Sequence, residues 1–485
     1  MLFNSYIFLL FFFPVCIIGY YLLNKKGWYK LALVELMLMS FWFYAYNHVQ
    51  YLLILLLSIL MNWILSRLLS RKEIQHKKLI LWCGILLNIG IIFYFKYFNF
   101  FIDNINFVLG KTYEVEKILL PLGISFYTFQ QVSYLIDSSR GETREYSFLE
   151  YAVFVSFFPQ LVAGPIVLHN EIIPQFCDKS KRIYNHENMA NGIYILAVGL
   201  FKKVIIADTF GSAVAWGYEH FETISSGEIV LIMLFYTFQI YFDFSGYSDM
   251  AIGIAKMFNI TLPINFNSPY KSCSIIEFWN RWHMTLTRFL RKYIYFSLGG
   301  SKKGKIRTYI NIFIVFLISG IWHGANWTFI VWGGVHGVAN ILDRIFKNYW
   351  NKMNRLFKWV CTFGFINITW LIFRSESLIQ AVILIKRMFC FESFTISTGL
   401  IECFNLPELA LLSSLIRPIG FLEQEINGFF MWLFLGVSLV IVLKLKNLYE
   451  VKFKPTIVNA MVTVVFLLWS IVSLNGITTF LYFNF

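Results

Sequence analysis

The sequence predicts an all-α, polytopic membrane protein with roughly 10–12 transmembrane helices. Three observations carry that expectation. Of 485 residues, 58% are hydrophobic and 20% aromatic, while only 14% are charged, a balance outside every soluble globular class. Apolar runs of about 17 to 22 residues, enough to cross about 30 Å of hydrocarbon as helices, recur from one end to the other. Lys and Arg cluster in the short gaps between those runs, as expected where basic loops are retained on the cytoplasmic side. No gap is long enough for a soluble domain, so the chain reads as a single membrane-embedded domain over 1–485.

The first span is expected near 5–23. It lacks a positively charged start and an A-x-A-like cleavage site, so it reads as a retained helix rather than a signal peptide. The following NKKGWYK holds Lys25, Lys26 and Lys30, which belong in the cytoplasm and put the amino terminus outside. A second span near 31–48 leads to an uncharged turn at Asn47 and His48. A third near 51–66 leads to Arg67, Arg71, Lys72, Lys77 and Lys78. Further spans are expected near 79–95, 118–136, 190–206, 228–243, 308–330, 356–373, 429–443 and 456–474. The segment 396–428, with Glu402, Glu408, Glu423 and Glu425 against Arg417, reads as external. Residues 444–454, with Lys444, Lys446, Lys452 and Lys454, read as cytoplasmic, which leaves the carboxyl terminus outside.

Two stretches do not read as plain spans. Residues 148–168 are apolar but contain Pro159, Gly164 and Pro165; a straight lipid-facing helix is disfavoured there, and a broken or re-entrant element is expected. Residues 276–307 interleave aromatics with Arg281, Arg288, Arg291, Lys292, Lys302, Lys303, Lys305 and Arg307, with no acid after Glu277. They suggest a basic amphipathic helix on the cytoplasmic face, either anchoring to anionic lipid or docking an acidic donor.

The net charge of +14 does not indicate nucleic acid, because phosphate-backbone binding needs a continuous basic surface rather than loop clusters. Seven scattered cysteines form no C-x-x-C pair and outline neither a disulfide framework nor a zinc site. No internal repeat is visible, which weighs against a secondary transporter built from repeated halves.

An ionisable group at membrane depth costs at least about 2.5 kcal/mol and therefore needs a partner, a cavity or a task. Two histidines occupy SGIWHGANWTFIVWGGVHG at 319–337. On one unbroken helix the 13 positions between His323 and His336 would place them about 20 Å apart on nearly opposite faces. That spacing does not make a metal site, and none is expected. Ser319, Trp322, Gly324, Ala325 and Asn326 give His323 small and polar neighbours, suited to a neutral imidazole that takes a proton from a hydroxyl. His336 reads either as a supporting residue or as a neutral core histidine bonded to a neighbouring helix. The third polar cluster, YFDFSGYSDMAIG, holds Asp243 and Asp249. These are either buried carboxylates satisfied by local donors, groups that orient a histidine or acceptor hydroxyl, or part of an ion path.

The same stretches, with LPLGISFYTFQQVSYLID at 120–137, FFPQLVAGPI at 157–166, FNSPY at 266–270, FWNRWHMTLTRFLRKYIYFSLGGSKKG at 278–304 and ITWLIFR at 368–374, make the chain resemble the membrane-bound O-acyltransferases. Within them it is similar to the bacterial branch typified by the membrane subunit of alginate O-acetylation and by peptidoglycan O-acetyltransferases. The resemblance implies helices around a central tunnel, in the plasma (inner) membrane of a bacterium. It implies transfer of an acyl group, usually acetyl, from a cytoplasmic thioester such as acetyl-CoA, with no resident cofactor, to an extracytoplasmic polysaccharide. An extracytoplasmic hydrolase-like acyltransferase is the implied partner. The family's catalytic histidine falls on His323, and His336 matches a second histidine position. Asn280, Arg281, Trp282 and His283 fall on a motif at the cytoplasmic approach, where they are expected to position the donor. Trp322, Asn326, Asp243 and Asp249 are candidates for orienting groups in the tunnel.

The carboxyl terminus GITTFLYFNF reads as an aromatic interfacial anchor or as an acyl relay through Tyr482. Two other functions compete: D-alanyl transfer from a carrier protein to teichoic acid, and a transporter or export scaffold without chemistry of its own.

Overall fold

A chain in hydrocarbon must satisfy each backbone N–H and C=O within itself, and the described residues are accordingly helical, with no strand among them. The computed structural model describes residues 1–71, 73–114, 116, 118–391, 393–406, 423–474 and 480–481. Among these, seven helices are long and apolar enough to cross a membrane. A shorter apolar helix, Ile457–Val472, also lies where a span is expected.

In chain order, α1 (Phe8–Lys25), α2 (Tyr29–Ala45), α3 (Val49–Ser70) and α4 (Lys77–Leu109) precede α5 (Ile124–Ser139). The proline-containing segment is broken, as expected. α6 (Phe148–Ser156) stops before the single turn α7 (Phe158–Leu161), and the chain then runs through Gly164 and Pro165 to α8 (His169–Cys177). Residues 151–169 are all buried, so the irregular backbone is enclosed by protein rather than lipid. α6 starts from a capping box in which Ser147 accepts from the Glu150 N–H and the Glu150 carboxylate accepts from the Ser147 N–H.

α9 (His186–Phe201) continues through widened turns at Lys202–Ala207 into α10 (Asp208–Glu219). Next comes α11 (Ser226–Met257), the axis of the molecule: 83% of its most apolar window is buried, against 11–39% for the other long helices. The expected span 228–243 is therefore only the first half of a 32-residue helix, and Asp243 and Asp249 sit inside it rather than past its end. α9 and α11 touch backbone to backbone. A Cβ on Gly199 would lie 2.7 Å from the Gly246 carbonyl oxygen, and one on Gly253 2.7 Å from that of Gly192, so small residues set the helix separation.

The basic stretch is not one amphipathic helix. α12 (Ile275–Arg281) ends at Trp282, His283 adopts a left-handed conformation at φ 44°, and α13 (Met284–Leu290) begins in a new direction. Acids from distant segments neutralise part of its charge. Arg288 pairs with Glu171 on α8, and Lys292 lies 3.1 Å from Asp137 and 3.4 Å from Glu142. The far end, 301–307, is exposed throughout. The expected span 308–330 is likewise two elements, α14 (Lys305–His323) and α15 (Trp327–Ile345), because extended Gly324 interrupts the helix. α16 (Arg355–Arg374), α17 (Leu378–Cys390), α18 (Glu423–Leu443) and α19 (Ile457–Val472) complete the described helices used below.

Candidate active site

HGANWT dictates the local fold at His323. A Cβ at Gly324 would fall 2.2 Å from the Phe329 ring, so glycine allows the chain to double back. Asn326 then caps α15: its Oδ1 accepts from the Thr328 N–H at 3.0 Å, and its Nδ2 donates to the Glu376 carbonyl at 2.8 Å. Both ends of the Asn326 amide thus hold the turn. His323 ends α14 at 4% exposure, with its ring 5.1 Å from Trp322 and 5.3 Å from both Trp332 and Phe373.

His336 occupies the other side of the same aromatic group, its ring 4.7 Å from Trp332. The Trp279 indole N–H donates to His336 Nδ1 at 3.2 Å. Thr369 Oγ1, already donating to the Ile366 carbonyl, lies 3.1 Å from Nε2. An indole nitrogen only donates, so Nδ1 accepts and the proton resides on Nε2. Both ring nitrogens are engaged. His323 and His336 share Trp332 as a neighbour, and among the described residues no group of three or more His, Cys, Asp or Glu side chains is placed to hold a metal ion.

The FWNRWH residues divide. Asn280 is exposed. Arg281 pairs with Glu277 at 3.0 Å and donates to the Asn267 carbonyl at 3.1 Å. Trp282 is buried against Phe278 and Trp370. His283 is 1% exposed, with its ring 6.1 Å from that of Trp322. Asn265 Oδ1 accepts from Thr285 Oγ1 at 2.6 Å and lies 3.2 Å from His283 Nδ1. An acceptor oxygen requires the His283 proton on Nδ1. Burial pushes the His283 imidazole down to about 3, so it is neutral across the physiological range.

Asp243 and Asp249 meet lysines. Lys203 lies 2.7 Å from Asp243 and 2.7 Å from Asp208; Lys202 lies 2.6 Å from Asp249, which also accepts from the Tyr449 hydroxyl at 2.7 Å. The widened turns at Lys202–Ala207 point successive lysines at α11. Both lysines fall inside the span expected near 190–206. The carboxyl-terminal segment reaches this network: the Leu481 N–H donates to Asp243 Oδ2 at 3.0 Å, and Phe480 packs on Tyr247. Tyr482 lies outside the described residues.

Two clefts reach α14 one turn apart. One contains Ser319, with Asn280, Arg291 and Arg344 along its wall and Trp279 beside them. The other contains His323 and Trp322, with Lys96, Gly123 and Ser125 opposite. Trp322 is stacked on Phe129 at 5.3 Å. Lys96, in a widened turn of α4, went unnoticed in the sequence because it borders an expected span and its partners are more than 200 positions away.

A buried imidazole on a cleft, one helical turn from a second cleft, inside a bundle with seven helices of membrane length among the described residues, marks a polytopic membrane protein with a candidate site at the end of α14. Residues 41–379 match the model of the membrane-bound O-acyltransferase family, MBOAT, and the chain belongs to that family. It is 41% identical over 419 residues to a peptidoglycan O-acetyltransferase of Helicobacter pylori, covering 80% of each chain. It is 39% identical over 407 residues to the Pseudomonas aeruginosa protein named "Probable alginate O-acetylase AlgI", covering 82% of this chain and 76% of that one. A teichoic acid D-alanyltransferase of Bacillus subtilis is 30% identical over 254 residues, covering 49% of this chain and 62% of that one. The protein is a multi-pass membrane O-acyltransferase.

Proposed function

We propose that the protein takes an acetyl group from a cytoplasmic thioester, acetyl-CoA or another acyl thioester, and passes it across the membrane for O-acetylation of a polysaccharide. The observation that carries this reading is the pair of clefts that reach α14 one turn apart, at Ser319 and at His323. The cleft at Ser319 bears Arg291 and Arg344, and α14, which forms part of its wall, starts from the exposed Lys302, Lys303, Lys305 and Arg307, the side that charge assigns to the cytoplasm. Its arginines and Asn280 suit a phosphorylated donor. The cleft at His323 approaches from the opposite end of the helix and suits the acceptor.

A thioester is already activated, so the task is alignment, proton transfer and stabilisation of the developing oxyanion. His323 accepts the hydroxyl proton as oxygen attacks the carbonyl carbon, then returns it to the leaving thiolate. Trp322 walls the junction. His336, with its tautomer set by Trp279 and Thr369, holds Trp332 against His323. Asp243 and Asp249 tie α11 to α9 and so keep the tunnel wall in place. His283 lies beside Trp322 rather than on the donor path, leaving Asn280 and Arg281 nearest the donor.

Similarity to bacterial proteins named for peptidoglycan and alginate O-acetylation supports a polysaccharide acceptor; the reading further places the chain, as one functional domain, in a bacterial plasma (inner) membrane with an extracytoplasmic transferase as partner. Tyr482 remains the proposed relay to that partner. The test uses purified protein in nanodiscs with radiolabelled acetyl-CoA and either peptidoglycan or alginate oligosaccharides. Transfer that His323→Ala abolishes supports the reading. Equal labelling by an intact His323→Ala protein removes His323 from the chemistry, and wild-type acylation in cells carrying that variant, with no transfer by the purified wild type, sinks the reading in favour of a scaffold. Labelling only from a D-alanyl-loaded carrier selects the teichoic acid alternative.

A further inference from the structure

Among the described residues, Lys96 is the one formally charged side chain along the cleft that contains His323. Its Nζ donates to the Trp322 carbonyl at 2.6 Å and to the His323 carbonyl at 3.0 Å. Tyr97, the next residue, donates to the Ile321 carbonyl at 2.7 Å, so the widened turn of α4 grips the last turn of α14 through three consecutive carbonyls. A lysine there satisfies helix-end acceptors and complements the negative end of the helix dipole. That role uses two of the three N–H donors of an ammonium. The remaining donor belongs to a group that already lines the cleft beside the imidazole. A cation inside an apolar bundle is costly to maintain, and a hydroxyl or amide would cap the same carbonyls at lower cost.

We propose that Lys96 is a catalytic residue that hydrogen-bonds the oxyanion formed when the acceptor hydroxyl attacks the thioester. This rests on the acyl-transfer reading above. In the step, His323 takes the hydroxyl proton while the new C–O bond forms, and the carbonyl π pair moves onto oxygen. The Lys96 N–H stabilises that negative charge. Collapse restores the carbonyl, breaks the C–S bond, and the imidazolium proton passes to the thiolate. Atoms and charge balance with Lys96 staying protonated throughout. A preorganised donor aimed at developing charge acts on turnover rather than on ground-state donor binding.

Lys96→Met, checked for unchanged elution and thermal unfolding, is expected to lower kcat about 100- to 1000-fold with the donor KM changed by less than about threefold. Lys96→Cys should be equally slow, and alkylation with 2-bromoethylamine, which rebuilds a primary amine of lysine length, should restore turnover. Iodoacetamide, which adds a neutral group, should not; wild-type protein treated in parallel controls for the native cysteines. Turnover of Lys96→Met within about threefold of wild type overturns the assignment, as does equal restoration by the neutral adduct. Wild-type protein that transfers nothing from any acyl thioester would instead overturn the acyl-transfer reading itself, and Lys96 with it.

Discussion

The indole nitrogen of Trp279 lies 3.2 Å from Nδ1 of His336, and this single contact distinguishes two histidines that look alike in the sequence. It assigns the His336 proton to Nε2 and binds the ring to α12 on one side and, through Thr369, to α16 on the other. His323 carries the last turn of α14 to a cleft; His336 is a brace between helices.

Trp279→Phe leaves a buried imidazole acceptor without its donor, which costs about 1–3 kcal/mol. Thermal unfolding of the detergent-solubilised protein should fall accordingly, and acetyl transfer should drop by less than tenfold. Loss of activity as complete as in His323→Ala would place His336 in the chemistry instead.

Asp243→Asn and Lys203→Met each strand a buried charge, and each should destabilise by about 3–5 kcal/mol. The double variant should lose clearly less than the sum, because the pair is removed together. Chemical unfolding in mixed micelles measures the cycle; simple additivity would show that Asp208 alone satisfies Lys203.

Gly320 and Gly333 bring α14 and α15 into contact. A Cβ on Gly320 would meet the Phe329 carbonyl oxygen at 2.4 Å and the Gly333 Cα at 3.1 Å. Gly320→Ala should therefore cost at least about 1–3 kcal/mol and displace His323 enough to reduce kcat. Gly364→Ala, where a Cβ meets nothing within 4 Å, is the control and should be neutral or mildly stabilising.

Burial, followed by its hydrogen bond to Glu150, pushes the Cys177 thiol up to about 11. The reactive thiolate is scarce at neutral pH, so alkylation of Cys177 should accelerate about tenfold per pH unit between pH 8 and 10. Glu150→Gln should speed labelling at pH 8. A pH-independent rate would contradict the packing of α6 on α8.

The broken segment 148–168 was legible because Pro159 and Pro165 forbid a continuous ladder of backbone bonds wherever they fall. The interruption at Gly324 was only half legible: its glycine is visible, but the need for it arises from Phe329 folding back onto it. The basic stretch 276–307 misled because its acids, Asp137, Glu142 and Glu171, lie more than 100 residues upstream. Lys96 escaped notice because the carbonyls it bonds lie more than 200 positions away, and Lys202 and Lys203 because their partners Asp249 and Asp243 belong to the next long helix.

By itself the sequence determined the membrane class, the order of apolar segments, the family and the reactive candidate His323. Each follows from composition, period or a contiguous motif, which local chemistry expresses without reference to distant residues. Only the tertiary structure decided which polar groups are partners: Asp243 with Lys203, His336 with Trp279, Lys96 with the end of α14. In a bundle of apolar helices every buried polar group needs a partner, and many positions across the fold are chemically acceptable. Packing alone selects among them, and here it leaves His323 facing a cleft while its neighbours are tied into the walls.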